Sequence, residues 1–130
     1  MNWLAIIIAT IANMVIGTLW YGNWAFGKSW IKLSGHQMGE GMQVGPLYGL
    51  TALAALVQAI TMAWFIGQTG ATSGSAGGIV GLYVGLGFIA TAMFAEVLFA
   101  GRHPRLYAIT AGYSVVAAIV QGAIIGFLGM

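Results

Sequence analysis

Hydrophobic residues run through this chain in four long, nearly continuous segments that are separated by polar or glycine-rich connections. The segments cover residues 3–21, 46–67, 77–100 and 106–128, with ends that are approximate. A helix needs about 20 apolar residues to cross the hydrocarbon core of a bilayer, and each segment is close to that length. Barrel strands are shorter, and lipid tolerates no unpaired backbone. The pattern predicts an all-α membrane protein, a bundle of four transmembrane helices.

The composition agrees with one lipid-embedded domain that spans residues 1–130. Only 5% of the residues are charged and 60% are hydrophobic, whereas a soluble domain carries about 25% charged residues. The length leaves no room for a second domain. Four Lys and Arg residues are too few for a nucleic-acid interface, so no nucleic-acid partner is expected. The chain has no cysteine, which excludes disulfides and thiolate metal sites.

The positive charges lie in two of the three connections between spans. The first connection holds Lys28 and Lys32, the third holds Arg102 and Arg105, and the middle one holds neither Lys nor Arg. Short cytoplasmic loops concentrate Lys and Arg. We therefore expect the two basic loops in the cytoplasm, with both termini and the middle connection outside. The one-sided bias also disfavours insertion in two opposite orientations.

Aromatic residues cluster where the first span meets its loop. Amphipathic rings and nearby cations favour the level of the lipid headgroups. The expected interface anchors are Trp20, Tyr21, Trp24, Lys28 and Trp30. Residues 24–33 are compatible with a short helix lying along the membrane surface and equally with an irregular loop held by its tryptophans.

Glycines recur at four-residue spacing in the third and fourth spans. Each series lies on one helix face, where the lack of side chains lets another helix come close. The predicted helix-packing residues are Gly77, Gly81, Gly85, Gly122 and Gly126. The spacing leaves open whether the facing helix belongs to the same chain or to a second subunit.

Four of the polar side chains within the spans form the candidate polar or transport site. Glu96 is the only ionisable group there other than tyrosine, and intramembrane carboxylates are often functional. It lies four residues from Ala100, about 6 Å along a helix, which favours a structural ion pair or hydrogen bond near the cytoplasmic surface. A proton- or cation-coupled site and simple interfacial exposure are the alternatives. Asn13, Gln58 and Gln121 favour hydrogen bonds between helices, or else a polar track through the bundle.

No catalytic, cofactor-binding or metal-binding pattern is evident. His36 and His103 lie in loops without a carboxylate at ligand spacing, so no metal site is expected. The chain contains no G-x-S-x-G, H-E-x-x-H or phosphate-binding glycine loop. We expect no cofactor and no enzymatic activity.

Two sequence elements carry a resemblance to a known family. Residues 17–22 (GTLWYG) are followed by residues 26–30 (FGKSW), and the fourth span contains residues 106–113 (LYAITAGY). Together they resemble a family of small bacterial membrane proteins, the domain of unknown function numbered 1761. The resemblance implies a four-span protein of the bacterial inner (cytoplasmic) membrane. It implies no activity and no catalytic residues.

Three functions compete on these grounds. The first is a non-enzymatic accessory or packing subunit, with membrane lipids and either further copies of itself or a larger membrane complex as partners. The second is a small oligomeric transporter or channel that uses Glu96. The third is a membrane enzyme acting on lipid or quinone. The glycine faces and the scarcity of chemical groups favour the first.

Overall fold

The computed structural model describes residues 2–20, 44–101 and 104–129 of the chain. Several sequence predictions concern residues outside these ranges. They are the anchors Tyr21, Trp24, Lys28 and Trp30, the possible surface helix at 24–33, the histidines His36 and His103, and the loop charges Lys32 and Arg102.

Helices account for nearly all of the described residues. We name them α1 (Trp3–Trp20), α2 (Val44–Thr69), α3 (Gly74–Val84), α4 (Thr91–Ala100) and α5 (Pro104–Leu128), and a π-helical segment, Gly85–Ala90, joins α3 to α4. The described part of the chain contains no strand. It contains four helices that are long and apolar enough to cross a membrane, with α3, the π-helical segment and α4 forming the third. The prediction of an all-helical chain with four apolar spans is therefore confirmed for these residues.

Short polar and glycine signals set several helix ends. The Asn2 side chain accepts a hydrogen bond from the Ala5 amide at 3.3 Å, and the Ser73 hydroxyl accepts one from the Ala76 amide at 3.1 Å. Both satisfy amides that have no partner within their helix. Gly70 follows α2 and Gly101 follows α4, with φ of 72° and 68°. Glycine adopts this left-handed conformation without a steric penalty, and it ends a helix there.

Helix α5 is the central element of the bundle. It packs against α1, α2, α3 and the π-helical segment, and its most extensive contact is with α3. Helix α1 also packs on α2, whereas α2 makes only a small contact with α3. Ile6, Ile66 and Ile125 are fully buried in a core formed by α1, α2 and α5. The described helices therefore surround α5, with α1 and α2 beside each other and the third span largely apart from α2.

Glycines bring the backbones of α3 and α5 into direct contact. A methyl group on Gly77 would overlap the carbonyl oxygen of Gly122 and lie 3.0 Å from the Gly126 Cα atom. A methyl group on Gly81 would overlap the carbonyl oxygen of Ala118. Because both sides of each contact are backbone, no side-chain rotation can relieve the overlap. The glycine faces of the third and fourth spans thus meet each other within one chain.

The third span changes from α-helical to π-helical geometry after α3. Gly85 opens this segment and lies against Val115 of α5, where an added methyl group would be 3.0 Å from the Val115 Cα atom. A π-helical turn disturbs the regular pairing of backbone carbonyls. Side chains bind two of the carbonyls, since the Tyr107 hydroxyl donates to Ala90 O at 2.8 Å and the Thr91 hydroxyl donates to Gly87 O at 2.8 Å.

Replacing Gly81 by alanine should destabilise the bundle. The added methyl group forces α3 away from α5, and overpacking of this kind lowers the free energy of unfolding by about 1–3 kcal/mol. Gly49→Ala is the matched control, because a methyl group there meets nothing within 4 Å, and helix propensity alone should raise stability by up to about 1 kcal/mol. Unfolding by SDS in mixed micelles measures both changes. Equal effects of the two substitutions would contradict the glycine contact.

Candidate functional site

Hydrogen bonds join α1 to α5 at four levels along their length. The two helices run antiparallel, so the start of α1 meets the end of α5. We call these contacts the α1–α5 ladder; its bonds run from Asn2 to the Leu128 carbonyl, from Gln121 to the Ala9 carbonyl, from Tyr113 to the Asn13 side chain and from Trp20 to the Ile109 carbonyl. Side-chain hydrogen bonds of this kind hold helices together where lipid gives no hydrophobic driving force.

The centre of the ladder is a chain of three polar side chains on three helices. The Tyr113 hydroxyl donates to Asn13 Oδ1, and Asn13 Nδ2 donates to Gln58 Oε1 at 3.0 Å. Asn13 is 4% exposed. Every donor in the chain points the same way, from α5 through α1 to α2. The chain therefore ends at Gln58, whose Oε1 atom accepts the last bond and whose Nε2 atom makes no hydrogen bond within the described residues.

Gln121 joins α5 to both α1 and α2. Its Nε2 atom lies 3.4 Å from the Ala9 carbonyl and 3.3 Å from the Ala55 carbonyl. The side chain is fully buried, and within the described residues its Oε1 atom has no hydrogen-bond partner. Gln121 thus holds three helices together, and no described residue satisfies its buried acceptor.

Glu96 lies apart from the other candidate polar residues. It is on α4 with an exposed side chain, and α4 packs on α5 and the π-helical segment. Asn13 and Gln58 are directly bonded, and Gln121 bonds to the same two helices. The structure thus gathers the three amides around α1, α2 and α5 and leaves the carboxylate outside that group. Among the described residues, no group of His, Asp and Glu is arranged to hold a metal ion.

An open groove lies between α2 and the third span. Its α2 wall runs from Leu50 to Phe65, and Val84 and Ile89 line the opposite side. The cavity measures about 560 Å³, and among the described residues Gln58 and Thr61 are the only polar ones in its lining. The Thr61 hydroxyl donates to the Val57 carbonyl at 2.9 Å, so within this part of the chain the Gln58 amide is the side-chain donor left to the groove.

Two aromatic residues of the ladder pack on glycines of the facing helix. A methyl group on Gly112 would lie 3.2 Å from the Trp20 ring, and one on Gly17 would lie 3.2 Å from the Tyr113 hydroxyl oxygen. The Trp20 indole also donates to Ile109 O at 2.9 Å. The first-span element and the closing-span element that carried the family resemblance therefore interlock, each supplying one aromatic ring and one glycine.

A family model confirms the resemblance. The model described as "Protein of unknown function (DUF1761)" matches residues 4–126. The chain belongs to this family. No curated protein and no solved structure matches the chain. The interlocking elements lie within the matched residues, and the family description assigns no activity to them.

Some of these contacts could not be predicted from the sequence. Trp20 was expected as an interface anchor, and the structure places its half-buried indole against α5. Tyr113 was not singled out as a site residue, although it bonds to Asn13. The glycine opposite each ring, Gly112 and Gly17, was the available signal, but a single glycine does not identify its partner.

Removing Asn13 should be more harmful than removing Gln121. Asn13→Leu removes the bonds that the Asn13 side chain makes to Tyr113 and Gln58, and the free energy of unfolding should fall by about 1–3 kcal/mol. Gln121→Met keeps the side-chain volume and removes the unsatisfied Oε1 atom. The Ala9 and Ala55 carbonyls keep their helical amide partners, so stability should change by less than about 1 kcal/mol.

The same SDS unfolding assay in mixed micelles measures both variants. A larger loss for Gln121→Met than for Asn13→Leu would contradict this account, because it would mean that the Gln121 oxygen contributes a bond that the described residues do not provide.

Proposed function

We propose that this DUF1761 protein is a non-enzymatic accessory subunit of a larger membrane assembly, embedded in the cytoplasmic membrane of a bacterium. The proposal is carried by one observation, which is that the amide side chains within the spans form hydrogen bonds between helices. Asn13, Gln58 and Gln121 bond to other helices, which is a stabilising role. A continuous transport path would need such groups to line an open channel, and catalysis would need them beside a nucleophile or an acid–base pair.

The arrangement of apolar surface supports association inside the bilayer. Large side chains of α1 face outward along the helix, namely Leu4, Ile8, Ile11, Val15 and Leu19. The glycine faces do not add to this argument, since α3 and α5 use them on each other. Partners would therefore have to contact the outer helix faces. In this proposal lipids cover those faces wherever a partner protein does not.

The proposed orientation has both termini and the turn between α2 and α3 outside, with the basic loops in the cytoplasm. The argument is the positive-inside rule applied to Lys28, Lys32, Arg102 and Arg105. The described helices are compatible with it, because the turn between α2 and α3 contains no charged residue.

Cysteine labelling tests the orientation, and the chain has no native cysteine to interfere. Thr72 is exposed in the turn, and unlike Ser73 it does not cap α3. Thr72→Cys should react with a membrane-impermeant maleimide on intact cells. Ala100→Cys, exposed at the opposite end of the third span, should react only after the cells are lysed. The reverse pattern would refute the orientation.

Purification in mild detergent and flux measurements separate the accessory role from transport. When it is extracted from native membranes, the protein should co-purify with partners in a fixed stoichiometry, measured by native mass spectrometry.

In liposomes containing the purified protein, proton and cation flux should equal that of empty liposomes. The Glu96→Gln variant should behave identically in both assays, since Glu96 is exposed on α4 and outside the group of amides. Flux that is abolished by Glu96→Gln would favour the transporter instead.

A further inference from the structure

The groove between α2 and the third span combines an apolar lining with one available hydrogen-bond donor. Gln58 uses its Oε1 atom to accept from Asn13, and its Nε2 atom makes no hydrogen bond within the described part of the chain. Gln58 lines the groove. An amide N–H group in an apolar medium is unfavourable unless it is paired. The groove is therefore suited to a ligand that brings a hydrogen-bond acceptor.

The volume of the groove is suited to a small molecule. Its volume of about 560 Å³ falls within the range of small-molecule sites, about 300–1,000 Å³. The lining stripe from Leu50 to Phe65 is about 22 Å long at about 1.5 Å per residue, which suits an extended hydrocarbon tail.

The depth of Gln58 decides between classes of apolar molecule. It lies nine residues after Gly49 and eleven before Thr69, about 14 Å and about 17 Å along the helix, and therefore near the middle of the span. The hydrocarbon core is about 30 Å thick, and the ester groups of glycerolipids lie at its edges. An ester carbonyl would have to leave its usual level to reach Gln58. A neutral carbonyl compound that is not tied to a polar headgroup can reside there.

We propose that this groove binds a prenylated quinone, with a ring carbonyl accepting a hydrogen bond from Gln58 Nε2 and the isoprenoid tail lying along the Leu50–Phe65 stripe. The Tyr113–Asn13–Gln58 chain fixes the orientation of the Gln58 amide so that its donor faces the ligand. The proposal concerns binding only and includes no redox step. It goes beyond the accessory role and does not depend on it, because the groove can be occupied with or without a protein partner.

The test uses the full-length protein in nanodiscs made of one phosphatidylcholine. The probe is a benzoquinone with a tail of two isoprene units, and the comparison ligand carries the same tail on a benzene ring without carbonyl groups. Saturable binding is measured in excess of partitioning into empty nanodiscs. One net hydrogen bond should make the quinone bind about two- to tenfold more tightly than the benzene compound.

Two variants identify the site. Gln58→Leu should remove the difference between the two ligands while leaving the benzene compound's affinity unchanged. Ala54→Phe fills the groove that Ala54 lines and should weaken both ligands more than tenfold. Ala95→Phe is its matched control, since Ala95 is an exposed alanine on α4 and is absent from the groove lining. Ala54→Phe leaves the bonds of Gln58 in place, so it tests the site even where Gln58→Leu fails to fold.

The following outcomes would overturn the proposal. One is equal affinity for the two ligands in the unmodified protein, and another is a quinone preference that survives Gln58→Leu. A third is retention of a phospholipid by the unmodified protein but not by Ala54→Phe, detected by native mass spectrometry. A fourth is efficient disulfide crosslinking of two copies through Ala54→Cys, which would assign the groove to a second copy of the chain. None of these outcomes bears on the stoichiometric complex expected of an accessory subunit.

Discussion

The direct backbone contact between α3 and α5 is the constraint on which the rest of this bundle depends. Inside lipid, an apolar helix gains little by exchanging lipid tails for another apolar helix, so association depends on close packing and on polar bonds. At Gly77 and Gly122 the backbones approach so closely that neither position has room for a methyl group. This contact holds the third span against one face of α5, and α1 and α2 must then use the remaining faces.

Helix α5 presents a second kind of surface almost beside the first. Gln121 and Gly122 are consecutive residues, which places them about 100° apart around the helix. The glycine side packs against α3, and the side that carries Tyr113 and Gln121 bonds to α1 and α2. The two surfaces supply different contributions: close packing from the glycines, and directional bonds from the polar side chains. A polar contact fixes the register between helices, which smooth apolar surfaces leave undetermined.

Much of this architecture could be predicted from the sequence because it depends on local patterns. Hydropathy gave the four spans, and four-residue spacing identified the faces of Gly77 and Gly122. The partners of those faces could not be predicted, since spacing within one helix carries no information about the neighbouring helix. The π-helical segment had no distinctive signal beyond Gly85 and Gly87. The contact of Trp20 with α5 could not be predicted for a related reason, because an aromatic residue at a span end has the same sequence signature whether it faces headgroups or a glycine on α5.

The groove follows from how the helices share α5. Because α1, α2 and the third span all pack on it, α2 and the third span stand on either side and touch only slightly. The π-helical segment, whose carbonyls are held by Tyr107 and Thr91, forms part of the wall on that open side. The Tyr113–Asn13–Gln58 chain ends at the same opening, on Gln58. A bundle that needed its amides only for cohesion would be expected to pair the last donor internally. Within the described residues the Gln58 donor instead remains at the groove, where a bound acceptor can complete the chain, and this is the reason to look for function beside α2 rather than at Glu96.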